Sequence, residues 1–191
     1  MPGDFIPYVQ GIRDETEALR QVVINFLNFA KPDELALTAV SLRTIAERAA
    51  EEIRGEITSR EGTVTVEGQF GTILGDDVLL RQAFSNLCRN ALEASVETGQ
   101  PPRVRIEGSI DAAQRQQHVA VIDSGRGVDA AVTARMFRPF FTTKKTGTGL
   151  GLSLVQKIIV THNGRVSASN APEGGARIAV VLPLEGSDRD R

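Results

Sequence analysis

The chain has 191 residues, of which 41% are hydrophobic and 24% charged, with a net charge of −2 and a pI near 5.8. This composition predicts one globular domain with an appendage and argues against a disordered or fibrous protein. The sequence lacks a basic run, which argues against binding to nucleic acid or an anionic membrane. It also shows no apolar run of membrane-spanning length and no signal peptide, so we expect a cytoplasmic segment whose parent protein could be anchored elsewhere.

The N-terminal residues 5–30 carry apolar side chains at alternating steps of four and three. This period predicts a helix that pairs with another helix, as in a homodimer, and the alternative is a helix lying on its own domain. Pro32 ends the helix, because the residue before a proline avoids the α region. The seam consists of Phe5, Val9, Ile12, Leu19, Val23, Phe26 and Ala30.

The sequence of residues 37–74 predicts a strand, a helix and two further strands. We expect a short strand at 37–40, a helix capped by Ser41 that runs to residue 56, and strands at 63–67 and 71–74. Four apolar residues at helical spacing should face the core, namely Leu42, Ile45, Ala49 and Ile53.

The next helix, over residues 81–95 and capped by Asp76 or Asp77, places two asparagines four residues apart on one face. Asparagine disfavours helix interiors, so Asn86 and Asn90 run against local propensity. A carboxamide oxygen is a hard, neutral ligand suited to Mg²⁺ that is already bound to phosphate oxygens. The alternative is that both are solvated polar residues on an amphipathic helix. The predicted inward face comprises Leu80, Phe84, Leu87, Ala91 and Ala94.

Asp123 ends an apolar strand predicted at 118–123, which follows a strand at 103–107 and the polar connection DAAQRQQ. A carboxylate there can accept a hydrogen bond from the exocyclic amine of adenine and would reject guanine, which offers a carbonyl instead. Gly125 and Gly127 follow, and they permit close backbone approach. The alternative is an ordinary tight turn that begins at an aspartate.

A long aromatic and basic loop at 136–145 precedes a glycine-rich segment. Loops of this length in compact domains are usually functional, and either Lys144 or Lys145 could reach a phosphate, the alternative being a solvated lysine pair. Three glycines at alternate positions, in Gly147-Thr148-Gly149-Leu150-Gly151, open a helix predicted at 150–161 and let backbone N–H groups converge on phosphate. The segment lacks the Walker pattern and the dinucleotide fingerprint.

The chain should close with a hairpin of strands at 165–169 and 177–182 around Glu173-Gly174-Gly175, followed by a disordered tail at 187–191. Helices combined with hairpin-linked strands predict an α+β fold, a two-layer α/β sandwich with an antiparallel or mixed sheet, preceded by the long N-terminal helix. Cys88 is the single cysteine, and with only two histidines in the chain no zinc-site spacing exists. We therefore expect a structural thiol.

Four segments, NLCRNALEA, DSGRGV, FRPFFTTKK and GTGLGLSLV, occur in the order of the N, G1, F and G2 boxes of sensor histidine kinases. The chain resembles the ATP-binding catalytic domain of that family, which has the Bergerat fold, and FFTTK followed by GTGLGL is similar to the nitrogen-regulation subgroup. The resemblance implies a catalytic domain at 33–186. It also implies that residues 1–32 are the second helix of a dimerisation and phosphotransfer domain.

The resemblance further implies ATP and Mg²⁺ as ligands. Asn90 would coordinate the metal, Asn86 would lie beside the triphosphate, and Asp123 would recognise adenine. Lys144 is the lysine that completes the TTK match and would contact phosphate. The remaining binding positions are Gly125 and Gly127 at the adenine end, and Gly147, Thr148, Gly149, Leu150 and Gly151 at the phosphates.

Two departures from the family matter. The phosphate-accepting histidine of the family is missing, since His118 begins a strand and His162 ends a helix, so the acceptor would come from a dimerisation helix not present here. A response regulator would act downstream in the intact system. Position 86 carries asparagine where related ATPases have a glutamate general base, which favours transfer over hydrolysis. The alternatives are a regulatory nucleotide-binding module without transfer and a slow ATPase.

Overall fold

The computed structural model of the chain describes residues 8–13, 16, 20, 35–144 and 147–185. Residues 8–13, 16 and 20 are helical, but most of the predicted N-terminal seam, and the tail at 187–191, lie outside the described residues. None of the described helices is both long and apolar enough to cross a membrane.

From residue 35 onward, every predicted helix and strand is confirmed, with small shifts at the ends. The main differences are that the strands predicted at 103–107 and 118–123 are longer, because the polar connection itself pairs up to Asp111 and Gln116 and leaves a turn of only four residues. A short helical turn not predicted from the sequence also appears after Asp129. The elements are β1 (Thr38–Ser41), α1 (Leu42–Thr58), β2 (Thr63–Gly68), β3 (Thr72–Gly75), α2 (Asp77–Val96), β4 (Arg103–Asp111), β5 (Gln116–Asp123), α3 (Ala130–Thr133), α4 (Gly151–Thr161), β6 (Arg165–Asn170) and β7 (Ala176–Pro183).

The strands form a five-stranded sheet and a separate two-stranded one. The large sheet has the order β2-β4-β5-β7-β6, with β2 parallel to β4 and the other neighbours antiparallel. The strands β1 and β3 pair with each other. Helices α1, α2 and α4 share one apolar core with a single face of the sheet. The predicted two-layer α+β sandwich with a mixed sheet is therefore confirmed.

Helix α2 begins at the N-cap Asp76, whose Oδ1 accepts hydrogen bonds from the N–H groups of Val78 and Leu79 at 3.0 and 3.1 Å. The four predicted core residues from Leu80 to Ala91 are buried, whereas Ala94 is only half-buried. The expectation for Ala94 is wrong because a helical stripe drifts at 3.6 residues per turn, and over the last turn Leu92 and Ser95 are buried instead.

His162 connects the end of α4 to the start of α2. It is 4% exposed, its Nδ1–H donates to the carbonyl of Ile158 at 2.7 Å, and its Nε2 accepts from the N–H of Asp76 at 2.9 Å. Both ring nitrogens are thus hydrogen-bonded, and the two bonds join the C-terminus of α4 to the N-terminus of α2. Cys88 is buried in α2, where burial, followed by the charge of Glu52, raises the pKa of its thiol to about 12, as expected of a structural thiol.

Candidate functional site

A cleft of about 730 Å³ lies between α2, the end of β5, the start of β7, the segment 136–144 and the start of α4. Most of the predicted site residues line it. Gly125 and Leu150 do not: Gly125 packs behind Asp123, and Leu150 is a buried residue at the N-cap of α4. The predicted residues that line the cleft are Asn86, Asn90, Asp123, Gly127, Lys144, Gly147, Thr148, Gly149 and Gly151.

The two asparagines of α2 face the N-terminus of α4. The Nδ2 of Asn86 donates to the carbonyl of Gln82 at 2.9 Å, which directs its oxygen away from the helix axis. A Cβ placed on Gly151 would lie 3.4 Å from Asn86 Oδ1 and 3.7 Å from Asn90 Nδ2. The first turn of α4 therefore lies directly against both carboxamides.

Asp123, at the end of β5, also lines the cleft and is buried. Its Oδ1 accepts hydrogen bonds from the N–H groups of Gly125 at 2.8 Å and Ala176 at 2.9 Å. None of the described residues donates a hydrogen bond to its Oδ2. Burial raises the pKa of Asp123, while the two backbone hydrogen bonds and the charge of Lys144 oppose that rise. The carboxylate is thus oriented by backbone, with one oxygen left to accept from a ligand.

Gly175 allows the hairpin between β6 and β7 to reach Asp123. Its φ is 84°, and a Cβ there would lie 1.8 Å from the backbone oxygen of Asp123. Only a residue without a Cβ fits this approach, which brings the N–H of Ala176 to the carboxylate. The sequence pattern identified this glycine as a hairpin residue but not as part of the site.

Apolar side chains line the same cleft as Asp123. Val121 and Ile178 are paired across β5 and β7 and form its floor, while Val128, Met136 and Leu152 complete the lining. A small apolar pocket with one oriented carboxylate suits a flat ring that carries a hydrogen-bond donor.

The start of α4 has no side-chain cap, and none of the described side chains accepts a hydrogen bond from the N–H groups of its first turn, which is the positive end of the helix dipole. Gly149 has φ of 68°, and a Cβ there would lie 2.4 Å from the carbonyl carbon of Phe140. A Cβ on Gly147 would lie 2.4 Å from Thr142 Oγ1. The left-handed φ and the backbone contact explain why position 149 needs glycine, and the segment leaves a backbone cradle suited to an anion.

The segment 136–144 is anchored by its aromatic residues. Met136 is buried in the core, Phe137 and Phe141 pack against it, and the guanidinium of Arg135 lies 4.8 Å from the ring centroid of Phe141. Phe140 does not contribute, since it is 67% exposed. Lys145, the other candidate lysine, lies outside the described residues.

Lys144 reaches back to α2 and contacts two residues. Its Nζ lies 3.3 Å from Asn90 Oδ1 and forms an ion pair with Glu93. Sequence reasoning missed Glu93, although it follows Asn90 by three residues and so shares its helix face.

A divalent metal would have few protein ligands here. No group of three or more histidine, cysteine, aspartate or glutamate side chains within the described ranges could hold one. Asn90 Oδ1 already accepts a hydrogen bond from the ammonium of Lys144, which shows that this oxygen is accessible to a cation. One carboxamide oxygen fits Mg²⁺, which takes one or two protein ligands when phosphates supply the rest.

A family model described as histidine kinase-, DNA gyrase B-, and HSP90-like ATPase matches residues 75–186. The signal transduction histidine-protein kinase AtoS of Escherichia coli K12 is 30% identical over 179 residues, which cover 93% of this chain and 29% of AtoS. The chain spans less than half the length of the curated relatives it matches.

Solved structures of histidine kinases share the fold. Full-length ShkA in complex with AMPPNP has a TM-score of 0.78 and 26% identity, covering 93% of this chain and 38% of ShkA. Histidine kinase ThkA in complex with the response regulator protein TrrA has a TM-score of 0.80, covering 99% of this chain and 54% of ThkA. Because the sequences are only 24% identical, the similarity to ThkA shows a shared fold alone.

Proposed function

This chain belongs to the family of histidine kinase-, DNA gyrase B- and HSP90-like ATPases, and from that premise we propose that it binds ATP with Mg²⁺ and transfers the γ-phosphate to a histidine outside this chain. The observation that carries the proposal is the convergence on one cleft of three different elements. These are the carboxamides of α2, the oriented carboxylate of Asp123 and the uncapped start of α4. Each suits a different part of a nucleoside triphosphate.

Asp123 is the adenine-recognising residue in this proposal. Its Oδ2 accepts a hydrogen bond from the exocyclic amine, while Gly125 and Ala176 hold Oδ1. Gly127, with φ of 78°, shapes the turn beside the base, because a Cβ there would lie 2.6 Å from Asn170 Oδ1. The AMPPNP bound to ShkA supports a nucleotide of this kind.

In this proposal the glycine-rich segment 147–151 and Lys144 bind the phosphates. Gly147, Thr148 and Gly149 line the cleft before α4, and the N–H groups at the start of α4, from Gly151 onward, point to an anion site. Lys144 lies close enough to α2 to contact a phosphate held between the two helices. Leu150 contributes its backbone alone, since its side chain is buried.

Asn90 is the proposed metal ligand and Asn86 its neighbour beside the triphosphate. When bound, Mg²⁺ would neutralise phosphate charge and orient the γ-phosphate. Asn86 cannot accept a proton from water at neutral pH, so its position provides no general base for hydrolysis. Phosphoryl transfer depends on positioning and charge neutralisation, which these side chains can provide.

The acceptor has to come from elsewhere, because the chain contains only two histidines. His162 is buried with both ring nitrogens hydrogen-bonded. His118 alternates with the core residues Val119 and Val121 along β5, so it lies on the sheet face opposite the helices and the cleft.

We also propose the wider assembly. The acceptor histidine lies on a dimerisation helix, residues 1–32 form the second helix of that domain and residues 33–186 the catalytic domain, with a homodimer formed through residues 5–30. A response regulator receives the phosphate, a partner supported by the ThkA complex with TrrA. The segment acts in the cytoplasm, whether or not its parent is anchored in a membrane.

Two measurements test the proposal. ATP with Mg²⁺ at about 100 times Kd should raise the free energy of unfolding by about 2.7 kcal/mol, and Asn90→Ala should remove the Mg²⁺ increment. γ-Labelled ATP should then transfer acid-labile label to the histidine-bearing dimerisation segment of a relative such as AtoS. If phosphate is released from ATP equally fast with and without that segment, the chain is an ATPase. If ATP binds but label is neither transferred nor released, the chain is a regulatory module.

A further inference from the structure

We propose that Glu93 is the resting partner of Lys144, and that Lys144 and the metal accompanying the nucleotide compete for the same oxygen, Asn90 Oδ1. The inference rests on the proposed function and adds to it a residue, Glu93, that sets how strongly nucleotide binding depends on the metal.

The geometry places one ammonium on two acceptors of the same helix. Lys144 Nζ lies 3.3 Å from Asn90 Oδ1 and forms its ion pair with Glu93 Oε2. The two acceptors are three residues apart on α2, so a single cation contacts both. The side chains of Lys144 and Glu93 are 31% and 45% exposed, so water only partly screens the pair.

Charge makes the Lys144–Asn90 contact incompatible with a metal at Asn90. A dication and an ammonium on one carboxamide oxygen would repel each other within a few ångströms, in a cleft where screening is weaker than in bulk water. Lys144 therefore leaves Asn90 when the metal binds there. Once released, it is free to contact a phosphate.

Glu93 decides how firmly Lys144 is held before that exchange. Its carboxylate faces the cleft, where it would repel a triphosphate that arrives without a metal. Lys144 neutralises it, and in doing so the lysine is withheld from the phosphates. When ATP binds without metal, Lys144 consequently stays paired with Glu93 and cannot contact the phosphates. When ATP binds with Mg²⁺, the metal displaces Lys144 from Asn90.

The pair also fixes the segment that carries Lys144. The N–H of Lys144 donates to Thr142 Oγ1 at 3.1 Å, and the carbonyl of Lys144 accepts from the N–H of Gly147 at 3.4 Å. The Lys144–Glu93 pair joins this segment to α2 in the nucleotide-free protein.

The test compares the 191-residue chain with Glu93→Gln and with a matched control, Glu97→Gln. The control removes the same charge from the C-cap residue of α2, which also lines the cleft but takes no part in the Lys144–Glu93 ion pair. The first readout needs no nucleotide: acylation of Lys144 by an N-hydroxysuccinimide ester, followed by mass spectrometry. Loss of a half-exposed ion pair should speed acylation of Lys144 up to about fivefold in Glu93→Gln, and leave it unchanged in Glu97→Gln.

The second readout is the ratio of the ATP Kd in EDTA to the ATP Kd in Mg²⁺. Glu93→Gln should tighten metal-free binding and lower this ratio by about two- to fivefold, with Glu97→Gln close to wild type. Equal acylation rates in all three proteins, or an unchanged ratio in Glu93→Gln, would overturn the inference. If wild type binds no ATP, the proposed function fails and the competition with it, whereas the acylation result still decides the Lys144–Glu93 contact.

Discussion

Replacing Gly175 by alanine isolates the approach of the β6–β7 hairpin to Asp123. A Cβ at this position would lie 1.8 Å from the backbone oxygen of Asp123 and 3.0 Å from its Oδ1. Real Cβ contacts are not that short, so the turn has to move by about 1 Å or more. The hydrogen bond from Ala176 N–H to Oδ1, now 2.9 Å, would then break or the carboxylate would turn.

Gly174 provides a matched control in the same turn. Its φ is 97°, close to the 84° of Gly175, but a Cβ on Gly174 would meet no heavy atom within 4 Å. Both substitutions therefore carry the cost of a left-handed non-glycine residue, about 1–2 kcal/mol of stability. Only Gly175→Ala displaces Asp123.

We expect Gly175→Ala to lose the bond between Asp123 and the base, a charge-assisted hydrogen bond worth roughly 1.5–3 kcal/mol. That loss raises the Kd for ATP by about 10- to 150-fold, whereas Gly174→Ala should bind ATP as wild type does. Titration calorimetry gives both affinities, and thermal melts without nucleotide confirm that each variant folds. Equal ATP affinity in the two folded variants would refute the argument that the hairpin positions Asp123.

Three further substitutions test other parts of the site. Asp123→Asn should weaken ATP binding at least about tenfold and favour GTP over ATP relative to wild type, because Nδ2 donates where the carboxylate accepts. Burial raises the pKa of Asp123 in the folded state, so ionising this carboxyl costs stability, fully above the folded-state pKa and not at all once the pH falls below the pKa of the unfolded state. Asp123→Asn should accordingly raise the melting temperature more at neutral than at acidic pH, and an equal change at both would contradict the assignment. Asn170→Ala removes two hydrogen bonds to Val128, at 2.7 and 3.1 Å, and should speed hydrogen exchange of the Val128 amide without unfolding the protein. His162→Ala leaves the N–H of Asp76 without its partner and should cost about 1–3 kcal/mol of stability, yet ATP should bind whatever folded protein remains with unchanged Kd.

The local elements could be predicted because their signals lie within short windows. Apolar spacing and a capping aspartate are enough to place α2, and they also show that Asn86 and Asn90 share a face. Glycine spacing likewise predicted the turn before α4 and the hairpin around Gly175. Periodicity placed the strands but not their ends, since the pairing of Asp111 with Gln116 depends on the partner strand.

By itself, then, the sequence determined nearly all of the helices and strands and the mixed α+β class, because backbone propensity and periodicity act between near neighbours. Only the tertiary structure decided which distant groups meet. Neither the contact between Gly175 and Asp123, nor that between Lys144 and Glu93, nor the bond from Asp76 to His162, 86 residues away, follows from any local pattern. Such contacts depend on the order in which strands pair and on the packing of helices over the sheet, and these are settled by the whole core at once.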